Sequence, residues 1–281
     1  MEPLVVLLVV GSAFLHALWN AGLKRQADPE GAAIAILGIA AAVAGGAWLV
    51  AGGAALPGLA GVGWSLAAGL CEGGYFVTLA LALRAAPLGI VYTVSRGGAL
   101  ALVWPASALW LGEPVGGPAV AGATVLGLGL VLVGAGRRDG ATARGVLWAV
   151  ACAGFVAGYH LLYKAALATG AAPAAVFAVA LAVALPFNVA RLGWGGLARA
   201  KASLGARPFV VGVAGVLCAA SFLVFLSALA RGGAGAAVTL RNTSVVFALL
   251  LAWLMGERPG RRQVAGAVAV VAGAVVLGWT P

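Results

Sequence analysis

The segment VAGATVLGLGLVLVG, residues 120–134, recurs 144 residues later as VAGAVAVVAGAVVLG, residues 264–278. A shared bias toward alanine, glycine and valine could account for this pair alone. Further segments repeat in the same order, however, at offsets of 140 to 147 residues: 17–24 with 157–164, 71–84 with 218–231, and 111–114 with 255–258. Composition bias does not preserve the order of four segments. The chain therefore consists of two copies of one unit, residues 1–140 and 141–281.

The composition indicates a membrane protein. Of the 281 residues, 63% are hydrophobic and only 9% are charged, whereas a soluble domain carries about 25% charged residues. Apolar runs long enough to span lipid recur along the whole chain, and they lack the alternation of a β-barrel. The first run, 4–22, is too long and ends in residues too polar for the core of a signal peptide. It is interpreted as the first span.

Breaks at proline, glycine and charged clusters predict ten transmembrane helices. The predicted spans are 3–22, 31–53, 61–83, 87–111, 117–136, 143–165, 172–190, 209–230, 234–255 and 262–279. The predicted fold class is thus all-α, with five helices in each repeat. Because five is an odd number, the second copy enters the membrane from the opposite side. Such an inverted repeat is typical of secondary transporters, which bind substrate near the midplane between the copies.

Loop charge predicts the orientation. Thirteen of the 17 lysines and arginines fall in the loops that follow helices 1, 3, 5, 7 and 9, and only Lys164 and Arg231 fall on the other face. The positive-inside rule places the first set in the cytoplasm and both termini outside. The net charge of +10 therefore indicates cytoplasmic loops rather than a nucleic-acid partner. The bias toward alanine, glycine, valine and arginine fits a GC-rich genome. A bacterial source, and hence the inner membrane, is therefore expected.

The few polar residues within the spans group by helical face, at spacings of three and four residues. Helices 1, 3, 4, 6, 8 and 9 carry these groups, and they are predicted to wall a central, water-accessible cavity. The predicted substrate-binding residues are His16, Trp19, Asn20, Tyr75, Thr78, Tyr92, Ser95, Arg96, Tyr159, His160, Tyr163, Ser221, Arg241 and Asn242. Alternatively, the histidine and asparagine side chains bond across helices as packing contacts.

Two arginines lie inside spans. Arg96 and Glu72 are each twelve residues from Arg84, at the turn between helices 3 and 4, so they are predicted to lie at similar depth and form an ion pair. The alternative is that Arg96 faces the cavity unpaired. Arg241 has no acidic residue at the matching depth of helix 8. It either lines water near the outer mouth or binds an anionic partner, for which a substrate carboxylate is the candidate.

The chain resembles the EamA branch of the drug/metabolite transporter superfamily. The resemblance rests on the ten-helix repeat, the Gly-Glu pairs at 112–113 and 256–257, the lysines Lys24 and Lys164, and LHALWNAGLK at 15–24. It implies a transporter, and the bacterial members of this size export amino acids and related metabolites. The small four-helix multidrug members carry a carboxylate in their first helix, whereas this helix has His16 and no carboxylate after Glu2. Transport is therefore expected to be facilitative, or at most weakly driven by protons, with His16 and His160 as the candidate proton carriers.

The expected partners are a small-molecule substrate and the lipid bilayer, and the functional unit is expected to be a monomer, with a dimer as the alternative. Cys71, Cys152 and Cys218 are interpreted as packing residues, and no metal or cofactor is expected. Glu113 and Glu257 are interpreted as helix-end residues. A lipid or lipid-linked-sugar flippase of the same fold is an alternative function. An intramembrane enzyme is a weaker alternative, because the sequence has no nucleophile–base motif and no HExxH motif.

Overall fold

The computed structural model describes residues 3–53, 56, 58–112, 116–134, 142–231, 234–256 and 258–278. Glu2, Glu113, Glu257, Arg137 and Arg138 lie outside these ranges. Within them the chain forms twelve α-helices and no strand. The helices are α1 (Pro3–Lys24), α2 (Pro29–Val50), α3 (Gly58–Ala85), α4 (Leu88–Leu111), α5 (Gly117–Gly134), α6 (Ala143–Ala168), α7 (Pro173–Leu192), α8 (Trp194–Ala206), α9 (Pro208–Arg231), α10 (Ala234–Arg241), α11 (Ser244–Leu254) and α12 (Arg261–Gly278).

Six of these helices are long and apolar enough to cross a membrane, namely α1, α2, α3, α6, α7 and α9. Shorter apolar segments lie in α5 and α11. The protein is therefore an all-helical, multi-pass membrane protein. Helices α4, α5 and α12 coincide with the predicted spans 87–111, 117–136 and 262–279 to within two residues at each end.

Local signals explain where several helices begin and end. The Asp28 side chain accepts a hydrogen bond from the amide of Gly31, 3.2 Å away, and proline occupies the first position of α2. Thr142 caps α6 in the same way, with 3.0 Å between its hydroxyl and the amide of Gly145. Both residue types satisfy amides that the first helical turn leaves free. At the end of α4, Gly112 adopts φ +68°, the left-handed conformation that favours glycine.

The predicted ninth span is not one continuous helix. It is broken between α10 and α11 at Asn242 and Thr243. The Asn242 side chain donates to the Val238 carbonyl at 3.0 Å, and the Thr243 hydroxyl donates to the Leu240 carbonyl at 2.8 Å. Such bonds from short polar side chains compete with the helical pattern. The break places Arg241 at the end of α10, inside the protein.

Helix α8 is a second departure from the sequence-based prediction, which treated residues 191–207 as part of a loop. Gly193, with φ +61°, ends α7 and allows the new helix to start at once. Arg199 of α8 binds the Asp28 carboxylate through Nε at 2.6 Å and Nη2 at 2.5 Å. Arg191 of α7 binds Glu30 nearby. These arginines therefore join α7 and α8 to the start of α2.

Glycines allow α5 and α12 to pack at very short range. A Cβ atom at Gly129 of α5 would lie 2.7 Å from both the carbonyl oxygen of Gly266 and the amide nitrogen of Val270 in α12. A Cβ atom at Gly273 of α12 would lie 2.6 Å from backbone atoms of α5. Elsewhere, α3 packs against α6 and α7, and α9 packs against α1 and α2. The first half of the chain is thus packed mainly against the second.

Candidate functional site

The fourteen predicted substrate-binding residues are all buried. They come from α1, α3, α4, α6, α9 and α10, with Asn242 at the break that follows α10. His16 of α1 lies at the centre of this group. The structure thus brings the predicted polar faces together. Many of these side chains, however, are buried by contact with one another and do not line an open cavity.

Both ring nitrogens of His16 contact an arginine. Arg96 of α4 bonds to Nε2, and the Arg241 Nη2 atom lies 3.1 Å from Nδ1. The Trp19 indole also donates to Nδ1, at 3.3 Å. Guanidinium and indole groups can only donate, whereas a neutral imidazole has one acceptor nitrogen. His16 therefore cannot satisfy both arginines at once.

Tyrosines are the other partners of Arg96. Its Nη1 donates to the Tyr159 hydroxyl at 3.2 Å, and its Nη2 lies 3.4 Å from the Tyr75 hydroxyl. The guanidinium also lies 5.7 Å and 5.6 Å from the ring centroids of Tyr75 and Tyr92. Phenolic oxygens and ring faces both stabilise a cation. These contacts offset the cost of burying the charge.

The predicted ion pair between Glu72 and Arg96 is wrong. Glu72 instead accepts a hydrogen bond from the Tyr163 hydroxyl of α6, and its Oε1 atom has no hydrogen-bond partner in the described part of the chain. The prediction assumed that α3 and α4 pack side by side as a hairpin. In the structure, α3 packs along α6 instead, so that Glu72 faces Tyr163.

Arg241 is 1% exposed and lies against two aromatic rings that the sequence reasoning missed. Its guanidinium carbon is 4.8 Å from the Phe222 ring centroid and 4.0 Å from that of Phe225. Its Nε and Nη1 atoms have no hydrogen-bond partner among the described residues. A phenylalanine carries no polar mark in a sequence. The only signal in the sequence was the spacing of these two phenylalanines from Ser221 on the same helix.

A small cavity adjoins Arg241. It is lined by Arg96, Ala99, Val156, His160, Val238, Arg241 and Asn242, and in this conformation it is too narrow to hold a water molecule. The His160 Nδ1 atom lies 2.7 Å from the Val156 carbonyl oxygen, and its Nε2 atom has no partner among the described residues. Ligand pockets usually have volumes of roughly 300–1,000 Å³. Any ligand would therefore require the surrounding helices to move apart.

Four other predicted site residues bond mainly within their own helices. The acceptors are main-chain carbonyls one turn back, for Asn20 at 2.7 Å, Thr78 at 2.8 Å, Ser221 at 2.9 Å and Ser95 at 3.4 Å. Of the four, Ser221 also reaches His16, 3.5 Å from its Nδ1 atom. These contacts fit the alternative interpretation as packing residues at least as well as a binding role.

The two lysines that close the predicted first and sixth spans bind helix ends. Lys24 donates to the carbonyls of Leu83 and Ala86 at the end of α3, at 2.7 Å and 2.9 Å. Lys164 donates to the Leu229 carbonyl at the end of α9, at 3.2 Å. A cation at a helix C-terminus satisfies free carbonyls and the helix dipole. One lysine in each half of the chain thus binds the end of a helix in the same half.

The charged cluster around Asp28 lies outside the buried site. The pKa of Asp28 is lowered, mainly by the hydrogen bonds from Arg199. Sequence reasoning had counted Arg191 and Arg199 only as loop charge. In the described residues no group of three histidine, cysteine or acidic side chains could hold a metal ion, and Cys71, Cys152 and Cys218 are free thiols.

Comparison with known proteins supports both the architecture and the family. A solved crystal structure, 23% identical in sequence, matches with a TM-score of 0.66 over 97% of this chain and 96% of its own. At this identity the likeness establishes the fold alone. No curated protein matches the sequence. Residues 143–279 match the EamA-like transporter family. The second half of the chain is therefore an EamA-like transporter domain of the drug/metabolite transporter superfamily.

Proposed function

We propose that this protein is a secondary transporter that exports amino acids or related small metabolites across a bacterial inner membrane by alternating access. The observation that carries the proposal is Arg241, a buried guanidinium with unpartnered N–H groups beside a small cavity. A carboxylate is the group that such a guanidinium binds best. Membership of a transporter family supplies the class of activity.

We further propose that the chain crosses the membrane ten times as a five-plus-five inverted repeat, with α10 and α11 forming one span. The packing of α5 with α12 supports this, because Gly129 and Gly273 are 144 residues apart and each approaches the other helix in the same way. The contacts of α3 with α6 and α7 match those of α9 with α1 and α2. Lys24 and Lys164 repeat the same relation.

The proposed binding site lies between the halves, where aromatic rings from four helices meet. Ring centroids are 5.4 Å apart for Tyr75 and Tyr159, and 5.6 Å apart for Tyr159 and Tyr163. Aromatic walls with a few polar groups suit a small molecule that has an apolar part. Since the cavity is small and buried, substrate entry requires helix movement, as alternating access does.

Flux in liposomes tests the site. Alanine replaces Trp19, Tyr75, Tyr92, Tyr159 and Tyr163 one at a time, and uptake of labelled amino acids is normalised to folded protein. We expect folded yield to be kept and flux to be lost, most severely for large apolar substrates. The matched control is Trp64→Ala, because Trp64 is 37% exposed and makes an edge-to-face contact with Trp110 away from the site. Normal flux in all five variants would contradict the proposed site.

We propose that transport is facilitative. The described spans contain one deeply buried carboxylate, Glu72, and Tyr163 already binds it. His16 and His160 are the remaining groups that titrate near neutral pH in water. If the proposal is right, a pH gradient does not drive accumulation in liposomes, and replacing both histidines with glutamine leaves that result unchanged. Proton-driven accumulation that disappears in the double variant would refute it.

A monomer is the proposed functional unit, with the termini outside the cell. Both halves of the proposed site belong to one chain, so no second copy is needed to complete it. Arg84, Arg191 and Arg199 lie around Glu30, on the face that the positive-inside rule assigns to the cytoplasm.

A further inference from the structure

The buried site contains more positive charge than it can neutralise. Arg96 and Arg241 are 3% and 1% exposed, and both contact His16. Among the described residues, the carboxylate buried with them is Glu72, which bonds to Tyr163 and does not line the cavity. Two guanidinium groups therefore face at most one carboxylate. Burying an unneutralised charge is costly, so this imbalance favours a ligand of opposite sign.

Arg241 has hydrogen-bond donors that lack acceptors. Its only polar partner among the described residues is His16, which it shares with Arg96. Its Nε and Nη1 atoms have none, and Phe222 and Phe225 cover its guanidinium. Phenylalanine rings attract a cation but accept no strong hydrogen bond. The oxygen atoms of an anionic ligand would supply the missing acceptors.

The polar part of the cavity wall consists of donors and one imidazole. Arg96, Arg241 and Asn242 present N–H groups, and His160 presents Nε2, which has no partner. Because His160 Nδ1 lies 2.7 Å from a carbonyl oxygen, Nδ1 carries the proton of the neutral ring. Nε2 is then an acceptor, suited to a ligand hydroxyl. Among the described residues, no carboxylate lines this cavity.

We propose that the transported solute is a small net anion whose oxyanion group, a carboxylate or a phosphoryl group, binds Arg241 inside this cavity. The inference rests on the proposed transport function and narrows its substrate class to acidic metabolites. Among amino acids and related metabolites, a neutral zwitterion should bind less tightly than an acidic compound. Its ammonium group would lie near two guanidinium groups without an acid in the cavity wall, and such like-charge contacts oppose binding.

Binding to the purified full-length protein tests the charge preference. The probes are 2-hydroxybutyrate, 2-aminobutyrate, 2-hydroxybutyramide and 1-hydroxypropylphosphonate, which share size and shape but differ in charge. Dissociation constants come from the concentration dependence of thermal unfolding in detergent. We expect the hydroxy acid to bind at least about tenfold more tightly than the amino acid or the amide. The phosphonate arm distinguishes a phosphoryl ligand from a carboxylate.

Variants of Arg241 assign the effect to the cavity. In Arg241→Gln we expect anion binding to weaken about 10- to 100-fold, and in Arg241→Lys we expect a smaller loss because the charge remains. The matched control is Arg231→Gln, at the exposed end of α9, with binding unchanged. The lysine variant keeps the test valid if the glutamine variant does not fold.

The outcomes separate the two proposals. Equal or tighter binding of 2-aminobutyrate overturns the anion preference and leaves transport standing. Anion binding that survives in Arg241→Gln, or no binding by any of the four probes, overturns the anion site. Tight anion binding without flux of labelled 2-hydroxybutyrate in liposomes contradicts the proposed transport and leaves the anion site intact.

Discussion

Replacing Tyr163 with phenylalanine is expected to destabilise the protein, because Tyr163 supplies the hydrogen bond that Glu72 accepts. The Tyr163 hydroxyl donates to the Glu72 carboxylate, whose Oε1 atom has no partner in the described part of the chain. Both side chains are 0% exposed, so bulk water does not replace the lost donor. Phenylalanine keeps the ring packing and removes only the hydroxyl.

The size of the effect depends on the burial of Glu72 and on its lack of another hydrogen-bond donor. Leaving a buried polar group without its hydrogen-bond partner costs about 1–3 kcal/mol. Loss of the bond in Tyr163→Phe should therefore lower the free energy of unfolding by about 1–3 kcal/mol. In a Glu72→Gln background the same change should cost about 1 kcal/mol or less, since no carboxylate is left without a donor.

Reversible unfolding in mixed micelles, with sodium dodecyl sulfate as denaturant, measures the four members of this double-mutant cycle. Tyr92→Phe is the matched control, because its hydroxyl is equally buried and has no hydrogen-bond partner among the described residues. We expect that variant to be neutral or slightly more stable. Additive effects of the Glu72 and Tyr163 changes, or equal losses for the two tyrosines, would refute the reasoning. A stronger coupling of Glu72 to Arg96 would contradict the geometry.

Three further predictions concern orientation, pH and packing. A cysteine placed at Thr142 should react with an impermeant reagent only after cells are opened, because its loop is predicted to be cytoplasmic; labelling of intact cells would reverse the orientation. Since Arg199 lowers the pKa of Asp28, their pair should stabilise the protein fully above the unfolded-state pKa of about 4, and lose its effect as pH falls through the lowered value. As Asp28 is 33% exposed, the pair should contribute at most about 1 kcal/mol to the free energy of unfolding. Unfolding measured as a function of pH should show this contribution in the wild-type protein but not in Arg199→Gln. If that variant lost stability at acid pH in the same way as the wild type, the result would count against the pair. Gly129→Ala should lower the free energy of unfolding by about 1–3 kcal/mol, because the added methyl group pushes α5 away from α12. Gly127→Ala is the control and should be neutral or stabilising, since the space around its Cβ position is open. Equal losses of stability at both sites would mean that the close approach is absent.

Hydrophobic patterning was enough to predict an all-helical membrane protein and the position of most of its helices. A lipid-spanning helix must be long and apolar, and this requirement is written locally in the sequence. The repeat and the resemblance then pointed to the transporter family, which the match over residues 143–279 confirms. Local signals were also sufficient to mark His16, Arg96 and Arg241 as unusual, since polar groups are rare inside spans.

The partners of those polar groups depended on tertiary packing. Which side chain meets Glu72 is decided by the helix that lies against α3, and this is α6 rather than its sequence neighbour α4. The break at Asn242, which aims Arg241 inward, depends on side-chain bonds to the Val238 and Leu240 carbonyls that compete weakly with a continuous helix. The ion pairs of Asp28 and Arg199 join residues 171 apart in sequence. Insertion of a helix into lipid depends on its own composition, whereas a contact between helices depends on two surfaces. For this reason the sequence determined most of the helices, and only the tertiary structure decided how their polar groups pair.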